Sequence, residues 1–264
     1  MGEGNGYFYS IQPFWNGSVR TEKEIRDGGI SICRMEWENG KWTCVPGNGQ
    51  IGVIFTEPER FQAICYGVLS EKKEISLYSV RKGILVRFSP GIFSRIFSVP
   101  ACAVRPEGTA LDEILPAEKI GKLKDRLGKT CPERELLLLL KQWEEERKTE
   151  KRAGAEGNLL ASQVQQLIWE RRGAVKIKDL ERETFYSARR LQEVIVQQIG
   201  IAPKQLCRQT RFQHALRDAL SMQKLCMAQE AYGLGYCDQA HYSREFKEFM
   251  GICPRKILAE SEKV

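Results

Sequence analysis

From Leu159 to the C-terminus the chain uses one local arrangement twice, and that repetition constrains the fold more than any other feature. A short helical stretch and a turn precede a polar residue suited to capping a helix. The helix that follows opens with polar or basic side chains. The first copy runs from Lys178 to Leu191 through Ser187, the second from Ala228 to Tyr242 through Asp238. Ser and Asp are good N-caps because their side-chain oxygens accept the otherwise orphaned N–H groups of the first turn. Between the copies, Pro203 suits the first turn of a helix reaching about Leu220, with Leu206, Phe212, Ala215, Leu216 and Ala219 at helical spacing. A rod of about 17 residues at ~1.5 Å each is ~25 Å long. With its flanking elements it is expected to hold two helices about one DNA turn apart, ~34 Å.

The remaining C-terminal signal is also helical. Leu160, Val164, Leu167 and Ile168 mark an amphipathic helix closed by Gly173. Short helices are expected over 177–184 and about 224–232, and longer ones from the Ser187 cap to Ile199 and over 239–250. Gly200 and Gly251 stand at their C-terminal stops. Pro254 opens a last short helix.

The N-terminal part reads differently. Runs at 30–35, 51–55, 63–69, 75–80 and 84–88 have strand length, are rich in β-branched and aromatic residues, and lie between Gly, Pro, Asn or charged clusters. Helices are expected over 117–127 and from Glu133 to Lys148, the latter with an apolar stripe of Leu136, Leu139, Leu140 and Trp143. Residues 144–158 carry no large apolar side chain, and their second half reads as a linker. The expected division is 1–148, a β-rich domain; 149–158, a linker; and 159–264, an all-helical domain. The fold class is α+β, a β-rich, barrel- or cupin-like domain with one or two helices before an all-helical one.

Composition narrows the chemistry. The chain is ordinary globular material, 42% apolar and 28% charged, and its net charge of +7 is compatible with a nucleic-acid partner without demanding one. No apolar run approaches the ~18 residues of a membrane span, and the N-terminus lacks the basic-then-apolar pattern of a signal peptide. Nine cysteines without a C-x-x-C read as reduced thiols of a cytoplasmic protein, and the only two histidines are His214 and His241. No metal site, cofactor motif, nucleophile elbow or phosphate-binding loop is visible, so the expected mechanism is binding rather than catalysis.

Gly235-Tyr-Cys-Asp-Gln-Ala-His-Tyr-Ser-Arg-Glu-Phe-Lys247, followed by Gly251-Ile-Cys-Pro254, resembles the signature of the AraC/XylS family of transcriptional regulators. Ser187-x-Arg-x-Leu191, Gly200-Ile-Ala-Pro203 and Arg211-Phe-Gln-His-Ala215 resemble the same module in the same order, over about residues 159–258. The resemblance implies two helices that read adjacent major grooves of double-stranded DNA. By position it assigns base edges to Arg189 and Gln192 in the first unit, and to Gln239, His241, Ser243 and Arg244 in the second. Arg pairs with guanine O6/N7 and Gln with adenine N6/N7. Arg190 and Lys247 suit phosphates, which position without specifying. Ser187 belongs to the site as the cap of the first reading helix. Four residues depart from the family pattern: Glu181, Phe185 and Glu193 in the first unit and Glu230 in the second. A carboxylate at Glu193 is expected to be repelled by phosphate, leaving the second unit to dominate readout.

Phe88-Ser-Pro-Gly91, Leu111-Asp-Glu-Ile-Leu115 and Asp27-Gly-Gly-Ile-Ser-Ile32 resemble a poorly characterised domain that precedes such modules. That resemblance implies a domain that senses a signal, a small molecule for instance, or self-associates. Trp15, Trp37, Trp42 and Tyr66 would line a pocket or fill the core. The expected partners are DNA, a possible effector, RNA polymerase, and a second copy of the chain docked through the helix from Glu133 to Lys148. An enzyme fused to the module would use Cys65 or Cys102 as acceptor, but the metal-binding cysteine cluster of alkyl-transfer proteins is absent. The remaining alternative is an interaction-only regulator, an anti-activator, that no longer binds DNA.

Overall fold

The computed structural model describes residues 19–21, 24–37, 41–44, 49–56, 61–76, 82–149, 155–221 and 227–261. The expected β-rich domain is an antiparallel sheet. It is built from β1 (Val19–Thr21), β2 (Ile25–Asp27), β3 (Ile30–Trp37), β5 (Ile51–Thr56), β6 (Ala63–Tyr66), β8 (Lys82–Phe88) and β9 (Thr109–Ala110). Its order is β1-β3-β8-β5-β6-β9, with β2 also on β3, and among the described residues no pairing joins β1 to β9. A separate pair joins β4 (Lys41–Cys44) to β7 (Lys73–Ser76). Asp27 pairs with Ile30 across a two-residue turn, Gly28-Gly29, in which both φ angles are positive (54° and 81°). Such turns match the strand twist and favour glycine at both positions.

Helices pack on one face of the sheet's centre. Ile30, Ile32, Val53, Val86 and Phe88 are almost wholly buried with α1 (Ile92–Phe97), α2 (Ala117–Leu127) and α3 (Pro132–Thr149). The stripe of α3 lies in this core: Leu136, Leu139, Leu140 and Trp143 are at most 4% exposed. Trp143 meets Phe97 edge-on at 5.9 Å. Arg34 reaches Glu133 at 2.8 Å and Arg95 reaches the buried Glu144 at 2.5 Å, fixing both ends of α3. The stripe is therefore consumed by its own domain, not offered to a second copy; Leu138, outside the stripe, is the leucine of α3 that stands well exposed.

The all-helical part comprises α4 (Ala155–Glu170), α5 (Ile177–Thr184), α6 (Ala188–Ile199), α7 (Pro203–Ser221), α8 (Met227–Gly233), α9 (Gln239–Met250) and α10 (Pro254–Ser261). The expected linker is shortened, because α4 already begins at Ala155. Glu156 favours that first turn electrostatically and accepts from the Tyr186 hydroxyl at 2.8 Å. Of the expected linker, residues 150–154 lie outside the described residues, as do 222–226, 77–80 and Trp15. The side chains of Trp37 and Trp42 are likewise undescribed. Tyr66 is buried in its strand domain.

The helical part holds two cores with α7 common to both. Leu206 and Cys207 join Leu160, Val164, Leu180, Leu191 and Ile195; one and a half turns later Phe212, Ala215 and Leu216 join Tyr242, Phe246 and Phe249. At 19 residues α7 is a rod of ~28 Å. The two parts of the chain meet along one seam. The buried Gln209 of α7 accepts from the Gly49 N–H (3.0 Å) and donates to the Leu69 carbonyl (2.6 Å). Ser94 donates to the Gln198 carbonyl at 3.1 Å, and Ile201 packs against both the sheet core and the first helical core.

Candidate nucleic-acid interface

The first unit is α5, a turn, and α6. Leu191, Val194, Ile195 and Ile199 bury one face of α6, which leaves Arg189, Arg190, Gln192 and Glu193 on the exposed face. Ser187 caps the helix as expected, its Oγ accepting from the Arg190 N–H at 3.3 Å. A second cap comes from Glu181, whose carboxylate accepts from the Ala188 N–H at 2.6 Å. This explains one departure: on α5 a carboxylate at position 181 reaches the positive end of α6. Glu193 is also engaged. Its Oε1 accepts from Arg189 Nε at 3.1 Å, and its Oε2 lies 4.0 Å from Arg190 Nη1. In the turn, Phe185 adopts φ 61°, a left-handed conformation that costs a bulky residue, and its side chain is 94% exposed.

The second unit is α8, a turn, and α9. Gly235 has φ 73°, and a Cβ there would lie 2.6 Å from the Ala174 Cβ, so position 235 needs glycine for both reasons. Asp238 accepts from the His241 N–H at 2.7 Å, and that hydrogen bond first of all holds its carboxyl below the usual range. Tyr242, Phe246, Phe249 and Met250 bury one face of α9. Gln239, Arg244 and Lys247 are exposed, and His241 and Ser243 are half-buried. His241 Nδ1 lies 3.2 Å from the Cys237 thiol, and Arg244 Nε donates to the Ala240 carbonyl at 3.3 Å. The nine residues singled out in the sequence thus fall into two groups, one on the first turns of α6 and one on α9, on faces turned from the cores.

One positioning group escaped the sequence reading. Glu245 on α9 is 4% exposed. It accepts from the Tyr236 hydroxyl (2.8 Å) and from Arg208 Nε of α7 (2.8 Å), while the Arg211 guanidinium lies over the Tyr236 ring at 4.7 Å. Burial, then the neighbouring Glu245 carboxylate, pushes the Tyr236 phenol up. This network ties α9 to the rod. The available signal was spacing: Glu245 follows Tyr242 by three residues and precedes Phe249 by four, which places it on the buried arc. Of the two cysteines considered as acceptors, Cys65 is buried and burial pushes its thiol up, while Cys102 is exposed.

Among the described residues no group of three or more His, Cys, Asp or Glu is arranged to hold a metal, and no helix is long and apolar enough to cross a membrane. In sequence, residues 180–260 match the family described as a helix-turn-helix domain. No curated protein matches the chain. Among solved structures, ToxT from Vibrio cholerae is similar at 11% identity, over 92% of this chain and 98% of that one, with a TM-score of 0.40. ToxT from Vibrio cholerae O395, bound to (E)-4-(8-methylnaphthalen-1-yl)but-3-enoic acid, is similar at 14% identity over 92% and 99%, also with a TM-score of 0.40. At this depth of similarity the ligand of that structure has no bearing on this chain.

Proposed function

We propose, from the match of residues 180–260 to the helix-turn-helix domain family, that this part is of the AraC type and that the chain is a sequence-specific DNA-binding transcriptional regulator whose α6 and α9 enter adjacent major grooves. The observation that carries the reading is the pair of capped helices, each buried on one face and polar or basic on the other, joined by a single rod shared between their cores. In this reading Arg189, Gln192, Gln239, His241, Ser243 and Arg244 face base edges, and Arg190 and Lys247 face phosphates. Its action is binding, in the cytoplasm where bacterial DNA lies. The sheet domain is the part proposed to receive a signal, a small molecule among the candidates, and to pass it across the Gln209 seam. RNA polymerase is the partner through which a bound regulator would act.

Selection of bound sequences from a randomised duplex pool tests this. The full chain should enrich a site of about two helical turns. On that site Arg244→Ala should cost ~1–3 kcal/mol and relax preference at one or two base pairs, whereas Lys247→Ala should weaken all duplexes alike. Enrichment of nothing, with a folded protein, would favour an interaction-only regulator.

A further inference from the structure

We infer that Glu193 is a positioning residue which aims Arg189 at a guanine, so that the first unit reads a G·C pair. The inference rests on the assignment of α6 as a DNA-reading helix. Arg189 and Glu193 are four residues apart, hence neighbours on one face of α6, and Leu191, Val194 and Ile195 turn that face away from the core. The Arg189 side chain is 90% exposed, so no packing holds it. What holds it is one directed hydrogen bond, Nε to Glu193 Oε1 at 3.1 Å.

A guanidinium has five N–H donors in a rigid plane. Engaging Nε fixes that plane and leaves the end-on pair of N–H donors, one from each Nη, uncommitted. That pair of donors matches guanine O6 and N7, the commonest bidentate contact in the major groove. A long arginine loses rotamer freedom when it is clamped on a base, and a carboxylate that already restrains it reduces the loss. The charge balance is consistent: Arg190 Nη1 stands 4.0 Å from the other Glu193 oxygen. The local set of Arg189, Arg190 and Glu193 is therefore net positive, and the carboxylate faces the DNA as part of an ion pair. The family departure at Glu193 then becomes a specificity device, obtained at the cost of some repulsion from phosphate.

An exposed ion pair between residues four apart also supports a helix, so the test must read base identity and not stability alone. The full chain is used to select a site from a randomised duplex pool, and the single-pair variants of that site are then titrated. Wild type should prefer G·C at one pair by about five- to 150-fold, and Arg189→Ala should abolish that preference. Glu193→Ala should cut it about two- to fivefold, the range of an exposed ion pair, while binding to random duplex strengthens because a negative charge is lost. Glu193→Gln retains an oxygen that can accept from Nε and should restore the preference. A preference that vanishes with Arg189→Ala but is untouched by Glu193→Ala would overturn the inference. So would a Glu193-dependent preference for the base pair that survives Arg189→Ala, since Glu193 would then accept from cytosine N4 directly. A wild type that selects no sequence would overturn the DNA-reading assignment itself, a result separable from either of these.

Discussion

At the scale of single residues, two buried polar groups give sharp expectations. The Tyr242 side chain is fully buried, and its hydroxyl finds no hydrogen-bond partner among the described residues. An unsatisfied buried polar atom costs about 1–3 kcal/mol, so Tyr242→Phe should leave stability unchanged or raise it by ~1 kcal/mol in chemical denaturation. A loss of more than ~1 kcal/mol would mean that the hydroxyl is satisfied, for instance by water. His214 stacks on Trp169 at 4.0 Å, and burial, then the Arg172 and Arg217 charges, lowers its pKa to about 3. Between its ordinary pKa near 6.5 and about 3, the unfolded chain binds a proton that the folded one refuses. Stability should therefore fall as pH drops through that window, by up to ~1.4 kcal/mol per pH unit from this group. His214→Gln should flatten the slope between pH 6 and 4, and equal slopes for the two proteins would contradict a neutral, buried His214.

These residues also mark where sequence reading stopped. The caps Ser187 and Asp238 and the exposed face of α9 were legible because capping and helical period are local rules. His214 and Gln209 were not, because each owes its role to groups far away in the chain. Glu181 and Glu193 looked like defects in the family pattern, since a pattern records which residue is usual and not which neighbour it binds.

At the scale of elements, α2, α5 and α9 have the bounds that periodicity and caps predict, and α6 follows its Ser187 cap. The short α1 went unforeseen: it lies directly behind the strand β8, and its N-cap is Gly91 in a left-handed conformation rather than a polar capping residue. The role expected of α3, coupling the two parts or pairing with a second copy, is not supported by its packing. A core helix and a dimer helix share one apolar period, and only the sheet beneath decides between them. The turn of the first unit offers a test at this scale. Phe185 holds a positive φ with its ring in solvent, so little packing offsets the backbone cost. Phe185→Gly should raise the stability of the chain by ~1 kcal/mol. In the same unit Ser187→Ala should lower it by ~1 kcal/mol through loss of the cap. A destabilising Phe185→Gly, measured by thermal melting, would show that the ring packs against something in solution.

At the scale of the whole molecule, the seam and the rod hold the two small helical units together and against the β-rich part. Gln209 is buried on the rod and uses both ends of its amide on the β-rich part, at Gly49 and Leu69. Gln209→Ala leaves a buried N–H and a half-buried carbonyl without that partner, at a cost of about 1–3 kcal/mol. Hydrogen exchange should speed up at Gly49 and in the strands beside it, while the core of α9 stays protected. Unchanged exchange at Gly49 would mean that the seam does not depend on this amide. The central claim, that the rod presents two basic-edged helices to DNA, is tested most directly by salt. Phosphate contacts release counterions, and each contributes a slope of about −0.9 to log affinity against log salt. The full chain, titrated on its selected duplex between about 50 and 200 mM salt, should give a slope steeper than about −2, and Lys247→Ala should make it shallower by about one. A slope near zero, or one that Lys247→Ala leaves unchanged alongside undiminished affinity, would contradict the account.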